Sequence, residues 1–362
     1  MPEIVGKFRS VSTSTSPIDA YVSHLRYLSN AEATRRTLQE RFTLRTRQLK
    51  DISLLVSAHV AQALEFHTQS LTAPRRVRPV LQYYCYLNLA VATILAYRPM
   101  NYQQYRRHGV EDLSHKLNNL NMNSILMQAK HGAIPLFHSL LSDESIYERK
   151  FRLNELLSAI PPVSDELIHI FGAKYQIVIV TENVNYGDQG HWWSHVQLEC
   201  LNIDKSPGRL TRERVERSMP GLVRHYTLQA PTKNALNYKS KQSWASESEA
   251  RDWHRQICMK FINFGGHHIY VGPPFQFELR CQYQWEVVLR KPLFPTLTAV
   301  LLLSFGLASI SRYRPMLSKR AENSALNLLF DVFIQESDSI IIPAMRNLLF
   351  REELCVTQME AI

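Results

Sequence analysis

Residues 79–96 read PVLQYYCYLNLAVATILA, a stretch that is apolar on almost every side when wound as a helix. Pro79 suits a first helical turn, and Arg98-Pro99 suits a stop. A helix without a polar face cannot lie on a surface. It has to be central, and other segments must cover it all round. The fold is therefore expected to be built around this helix.

The preceding segments carry helical signals. Residues 1–16 are rich in Ser and Thr and are expected to be flexible. Ser16-Pro17-Ile18-Asp19 reads as a helix start, continued by Tyr21, Leu25 and Leu28. Asn30 is placed to cap a second helix over 31–50, dense in Arg. A third runs over 51–70, with Ile52, Leu55, Val56, His59, Val60 and Leu64 at helical spacing. After the central helix come a tyrosine-rich loop at 101–105, then Arg106-Arg107-His108-Gly109, then a helix opening at Val110. The signal over 119–142 is mixed. Residues 153–160 read as a short helix stopped by Pro161-Pro162.

The period then changes. YQIVIVT at 175–181 is a β-branched run. Residues 192–201, 224–228, 259–264 and 275–289 are further strands, the last with a half-buried antiparallel alternation. The charged stretches 205–217 and 233–249 read as loops. Three helices, over 296–312, 320–336 and 340–352, are expected to close the chain. The fold class is α+β, with mainly helical N- and C-terminal parts flanking a β-rich middle. The segments are a flexible 1–16, a helical region 17–170, a β-rich region 171–292, and C-terminal helices 293–362 that pack on the first helical region.

Composition narrows the classes further. The chain has 362 residues, 45% of them hydrophobic, enough to bury a sizeable core. Its five cysteines, at 85, 200, 258, 281 and 355, are scattered and form no C-x-x-C pair, which excludes a disulfide framework or a zinc ribbon. They read as reduced thiols, and with no apolar leader at the start the expected location is the cytoplasm. The longest apolar stretch, 297–310, falls short of the roughly 20 residues that span a bilayer, so no membrane association is expected. The net charge is +10. Residues 1–110 hold 15 Lys and Arg against 6 Asp and Glu, so +9 of it lies there. Such asymmetry fits an anionic partner such as nucleic acid, and equally a solvated basic face.

Four patches resemble the YaaC-like family of bacterial proteins. They are Arg78-Pro-Val-Leu-Gln-Tyr-Tyr-Cys-Tyr-Leu-Asn-Leu-Ala, the His108-Gly109-Val110 step, Asn154-Glu-Leu-Leu-Ser-Ala-Ile-Pro161, and Leu302-Leu303-Ser304 followed by Ser311-Arg312-Tyr313-Arg314-Pro315. They occur in the family's order. The resemblance implies a fold more than a function. Its helical parts are similar to the small ribonuclease bundles called HEPN domains, which occur among bacterial defence proteins. That is analogy at the level of fold. HEPN ribonucleases use an Arg and a His with four to six residues between them, and no interval in this chain fits. Arg107 to His115 and Arg217 to His225 each have seven.

Other chemistry is thinly marked. There is no G-x-S-x-G, no P-loop and no G-x-G-x-x-G. His191 and His195 stand four apart, but in a strand pattern, where such residues lie about 13 Å apart. No metal and no cofactor is expected. Cys85 sits in the most apolar helix, where its thiol is inert. Arg35, Arg36, Arg41, Arg45 and Arg47 could follow a phosphate backbone or simply face solvent. Arg106, Arg107 and His108, with Tyr102 and Tyr105 just before them, combine phosphate grips with stacking rings. Arg312 and Arg314 close an apolar helix and could reach the same ligand, although cations there also suit the helix C-terminus.

The expectation is a non-catalytic nucleic-acid-associated protein, binding RNA or single-stranded DNA. It would be a subunit of a bacterial defence or nucleic-acid-handling assembly. Binding residues are expected at Tyr102, Tyr105, Arg106, Arg107, His108, Arg312 and Arg314. The alternatives are a divergent HEPN-like ribonuclease using His108 as a catalytic residue, and a structural module that binds protein partners or a second copy of itself.

Overall fold

The computed structural model describes residues 7–13, 16–42, 46–99, 102–142, 145–172, 176–187, 190–200, 211–229, 235–253, 266–271, 282–289 and 295–358. Along the chain come β1 (Lys7–Thr13), α1 (Pro17–Tyr27), α2 (Ala31–Arg41), α3 (Thr46–Thr72), α4 (Arg78–Tyr97) and the single turn α5 (Tyr102–Tyr105). Next are β2 (Val110–Asp112), β3 (Ile125–Ala129), α6 (Ala133–Leu141), β4 (Lys150–Arg152), α7 (Leu153–Leu157) and α8 (Pro161–Phe171). The β-rich stretch holds β5 (Gln176–Tyr186), β6 (Trp192–Cys200), α9 (Arg212–Ser218), α10 (Pro220–His225), β7 (Tyr226–Leu228), β8 (Ala235–Ser240), β9 (Gly266–Val271) and β10 (Gln282–Leu289). The chain closes with α11 (Thr296–Tyr313), α12 (Pro315–Glu322), α13 (Leu326–Phe350) and β11 (Glu352–Gln358). Helical ends flanking a β-containing middle make this an α+β protein.

Two units separate, one of residues 1–157 with 297–362, the other of residues 158–296. The first is helical and uses both ends of the chain. Its centre is α4, whose face from Leu89 to Ala96 is buried without interruption. Helices α3, α6 and α13 pack against it. Among the described residues α4 and α11 are long and apolar enough to cross a membrane, but 78% and 83% of their apolar windows are buried inside the protein. Both serve here as core helices.

The polar positions of α4 are answered from α13. Tyr86 donates from its hydroxyl to Asp338 Oδ1 at 2.5 Å and also meets Ser337 Oγ at 2.8 Å. Gln82 Nε2 donates to the Ile334 carbonyl at 2.9 Å. This explains why Glu336-Ser337-Asp338-Ser339, which reads as a break between two helices, continues inside one. Ser337 and Asp338 are buried against α4. The expected helices at 320–336 and 340–352 are thus corrected to α12 and a long α13 that contains Pro343.

Other boundaries also shift. The expected helix over 31–50 ends at Arg41, and the Asn30 side chain caps its start by accepting from the Glu32 and Ala33 amides. Phe42 turns extended, and its buried ring meets Tyr97 edge-on at 4.9 Å. Pro161-Pro162, expected to stop a helix, occupies the first turn of α8. Val110 opens a strand and not a helix, and β2-β3-β4 form a three-stranded antiparallel sheet. The stretch expected to be flexible at the N-terminus holds β1, which pairs in parallel with β11 from Lys7 opposite Glu352 to Thr13 opposite Gln358. At that junction Arg346, only 1% exposed, donates to the Glu352 carbonyl at 2.9 Å and to His24 Nδ1 at 3.1 Å.

The second unit carries a six-stranded sheet in the order β7-β8-β6-β5-β10-β9, antiparallel at every described pairing. The expected loops within it are corrected too. Helix α9, capped by Thr211, occupies part of 205–217, and β8 with alternating burial occupies part of 233–249. The expected strand at 259–264 and residues 275–281 lie outside the described residues.

Removing the Tyr86 hydroxyl leaves the buried Asp338 carboxyl without its shortest partner. Tyr86→Phe is expected to cost about 1–3 kcal/mol in urea unfolding, with the denaturant slope unchanged.

Candidate nucleic-acid interface

The sequence places Arg106, Arg107 and His108 just after α5. What holds them is backbone contact with the start of α6. The Ala133 amide donates to the Arg107 carbonyl at 2.9 Å and the Ile134 amide to the His108 carbonyl at 3.0 Å. The open amides of that helix start are thereby satisfied. Lys130 N donates to the Gly109 carbonyl at 2.8 Å. This approach requires glycine on both sides. Gly109 has φ +80°, and a Cβ there would fall 2.7 Å from Pro135 Cδ and 2.9 Å from Gly132. On Gly132 a Cβ would fall 2.5 Å from the Arg107 carbonyl.

With its backbone so fixed, the His108 ring turns onto α4 and α11. It meets Tyr83 at 5.5 Å, Tyr84 at 6.2 Å and Phe305 at 6.2 Å between ring centres. Its Nδ1 lies 2.7 Å from the Tyr83 hydroxyl. Arg312, near the end of α11, donates from Nη1 to the Tyr84 hydroxyl at 2.8 Å, with its guanidinium carbon 5.5 Å from that ring's centre. Ser309, one turn earlier, donates to Asp112 Oδ2 at 2.5 Å and so ties α11 to β2. Thus the His108-Gly109 step and the Ser311–Pro315 patch, about 200 residues apart in sequence, meet at the Tyr83-Tyr84 pair.

The Tyr83 hydroxyl sets the His108 tautomer. Tyr83 is fully buried, and burial raises its phenol far above the ordinary tyrosine value. It therefore keeps its hydrogen. Nδ1 of His108 is its one hydrogen-bond partner among the described residues. A buried hydroxyl with one partner donates to it, because an unmet donor costs about 1–3 kcal/mol. Neutral His108 then carries its own hydrogen on Nε2, which is neither sealed from solvent nor hydrogen-bonded among the described residues. Burial, and then the charge of Arg312, hold the His108 pKa below the usual histidine value, which favours that neutral ring.

Helix α3 supplies the other side. Phe66 stacks on Tyr84 with centres 5.4 Å apart. His59 Nδ1 lies 2.7 Å from Asn88 Oδ1. Its ring meets Tyr105 edge-on at 6.1 Å.

The expected residues fare differently. Arg106 and Arg107 are exposed, and their guanidinium groups make no hydrogen bond or ion pair among the described residues. Arg312 joins His108. Arg314, which precedes the first turn of α12, makes no described contact with His108 or Tyr84, and its Nε is buried without a partner. Tyr105 is only 4% exposed, so it backs His59 and cannot offer a free stacking face. The side chain of Tyr102 lies outside the described part of the structure. The broader basic excess is partly cancelled. Arg75 pairs with Asp331, Arg76 with Glu322, and Arg35 and Arg36 share Glu32. His195 sits within β6 opposite Lys239 and Asn183. Cys85 is buried, and burial drives its thiol pKa well up. Sequence reading missed His59, Asn88 and Phe305. Tyr83 and Tyr84 were visible only as part of a family pattern.

The family model described as YaaC-like Protein matches residues 26–339. That span takes in Tyr83, His108 and Arg312 and bears out the resemblance read from the four patches. A comparison with curated proteins gives no match.

Two outcomes are expected. Gly109→Ala forces a side chain into a left-handed backbone already in contact with Gly132, and should cost about 3 kcal/mol or more in urea unfolding. Because His108 is held neutral when folded, the unfolded chain takes up its proton first as pH falls below about 6.5. The stability it contributes is present above that pH and lost below it. His108→Gln should flatten the fall of the melting temperature between about pH 7 and pH 5.

Proposed function

For this chain, which belongs to the YaaC-like family, we propose a non-catalytic role in binding single-stranded nucleic acid through the surface around His108. The observation that carries it is the 2.7 Å contact of His108 Nδ1 with the buried Tyr83 hydroxyl, which assigns the ring hydrogen to Nε2. A ring with its hydrogen on Nε2, beside Arg312 and half-open to solvent, is a donor for an anionic oxygen. Arg106 and Arg107 directly precede it in the chain and have no acidic partner among the described residues that would cancel their charge. Arg312 is already laid against the Tyr84 ring, an arrangement that leaves a cation and an aromatic edge at one place. Phosphate oxygens and bases ask for those two kinds of group.

The same tautomer weighs against the rival reading in which His108 acts as a ribonuclease base. A base needs a lone pair facing the substrate, and the Nε2 lone pair is occupied by hydrogen.

Binding of labelled single-stranded RNA and DNA should be measured over a salt series, with the RNA checked for cleavage. The wild-type protein should bind with an affinity that falls steeply with salt. Arg106→Ala with Arg107→Ala should weaken binding and reduce the log–log salt slope by about 1.4, since each phosphate no longer neutralised removes ~0.7. An unchanged affinity and slope would remove this surface from the interface. Cleavage abolished by His108→Ala would favour the ribonuclease.

A further inference from the structure

Arg312 touches two tyrosines. Its guanidinium carbon lies 5.5 Å from the centre of the Tyr84 ring and 4.9 Å from that of Tyr313, the last residue of α11. The two rings therefore share one cation. On the other side of Tyr84, Phe66 of α3 stacks with centres 5.4 Å apart and planes at 27°. Phe66, Tyr84, Arg312 and Tyr313 follow one another as a chain of contacts. It starts on α3 and ends on a ring that is 65% exposed.

The outer end of this chain is left open by the protein's own contacts. The Tyr313 hydroxyl makes no hydrogen bond among the described residues, and most of its ring faces solvent. Arg312 commits Nη1 to the Tyr84 hydroxyl at 2.8 Å and Nε to the Ala308 carbonyl at 3.3 Å. Its Nη2 is not sealed from solvent and has no hydrogen-bond partner among the described residues, where no carboxylate pairs with the guanidinium either. A ligand that answers both groups has a flat π face for Tyr313 and an anionic oxygen beside it for Nη2. A nucleotide with an unpaired base has both. Inside a duplex, neighbouring pairs cover the two faces of each base.

Resting on the reading of this surface as a nucleic-acid interface, we propose that Tyr313 is its base-stacking residue. An unpaired base lies on the open face of the ring, and an adjoining phosphate accepts from Arg312 Nη2. Tyr313 takes the part that the buried Tyr105 cannot play. Arginine contacts to phosphate grip the backbone alone, so the ring is what makes the surface sense bases. Tyr84 and Phe66 are positioning residues in this scheme: Tyr84 holds Arg312, and Phe66 holds Tyr84.

The test compares a labelled single-stranded DNA with a strand of the same length whose sugars carry no bases, each over a salt series. The two strands have the same phosphates, so their salt slopes should agree. With wild-type protein the intact strand should bind about 5–150-fold more tightly, the range one stacked base supplies. Tyr313→Ala should bring the intact strand down to the level of the base-free one without changing the slope. Tyr313→Phe, which keeps the ring, should restore the preference. Since the ring is exposed, the alanine variant should keep the wild-type melting temperature. Equal, salt-sensitive binding of both strands, or a preference for bases that survives Tyr313→Ala, would overturn the stacking role and leave the nucleic-acid interface standing. Binding of neither strand would overturn both.

Discussion

The structure depends on enclosing one helix that has no face for water. Helix α4 is buried along most of its length, yet it carries Gln82, Tyr83, Tyr84, Tyr86, Asn88 and Thr93. All but the half-buried Tyr84 need a partner in a place where water does not reach, because a buried polar group without one costs more than a hydrogen bond returns. The partners decide what surrounds the helix. Tyr86 and Gln82 call for α13, through Ser337, Asp338 and the Ile334 carbonyl. Tyr83 calls for His108, Tyr84 for Arg312, and Asn88 for His59. The first half of the demand builds the core, and the second half fixes the two histidine rings.

That shared origin holds both histidine rings in place. One ring is locked by a buried phenol and the other by a buried amide, and the segment bearing His108 is clamped to α6 through Gly109 and Gly132. A site preorganised in this way loses little side-chain freedom when a ligand arrives. The exposed Arg106 and Arg107 beside it are the opposite kind of group, long and without an ion-pair partner among the described residues. They suit attraction at a distance more than recognition.

Local patterns in the sequence carried real information. The ends of α4, the Asn30 cap and the strands β5 and β6 follow from proline placement, capping chemistry and β-branched alternation, all of which act over a few residues. The misreadings have one cause. Ser337 and Asp338 look like a loop because they are polar, and they are helical because Tyr86 waits for them about 250 residues earlier. Lys7–Thr13 looks unstructured because its own composition favours nothing, and it is a strand because β11 offers a parallel edge. Arg75 and Arg76 count toward the basic excess of residues 1–110 until Asp331 and Glu322 come alongside.

By itself the sequence determined the central helix, the α+β order of elements, the family and the place of the basic step at 106–108. These rest on short-range steric and hydrophobic periodicities, which a linear reading can see. Only the tertiary structure decided that His108 and Arg312 both meet Tyr84, that Tyr105 faces inward, and that the His59 ring bonds Asn88. A tautomer depends on what stands within hydrogen-bond reach of a ring. For His108 that is Tyr83, 25 residues away, and for His59 it is Asn88, 29 residues away, set there by the packing of α3 on α4.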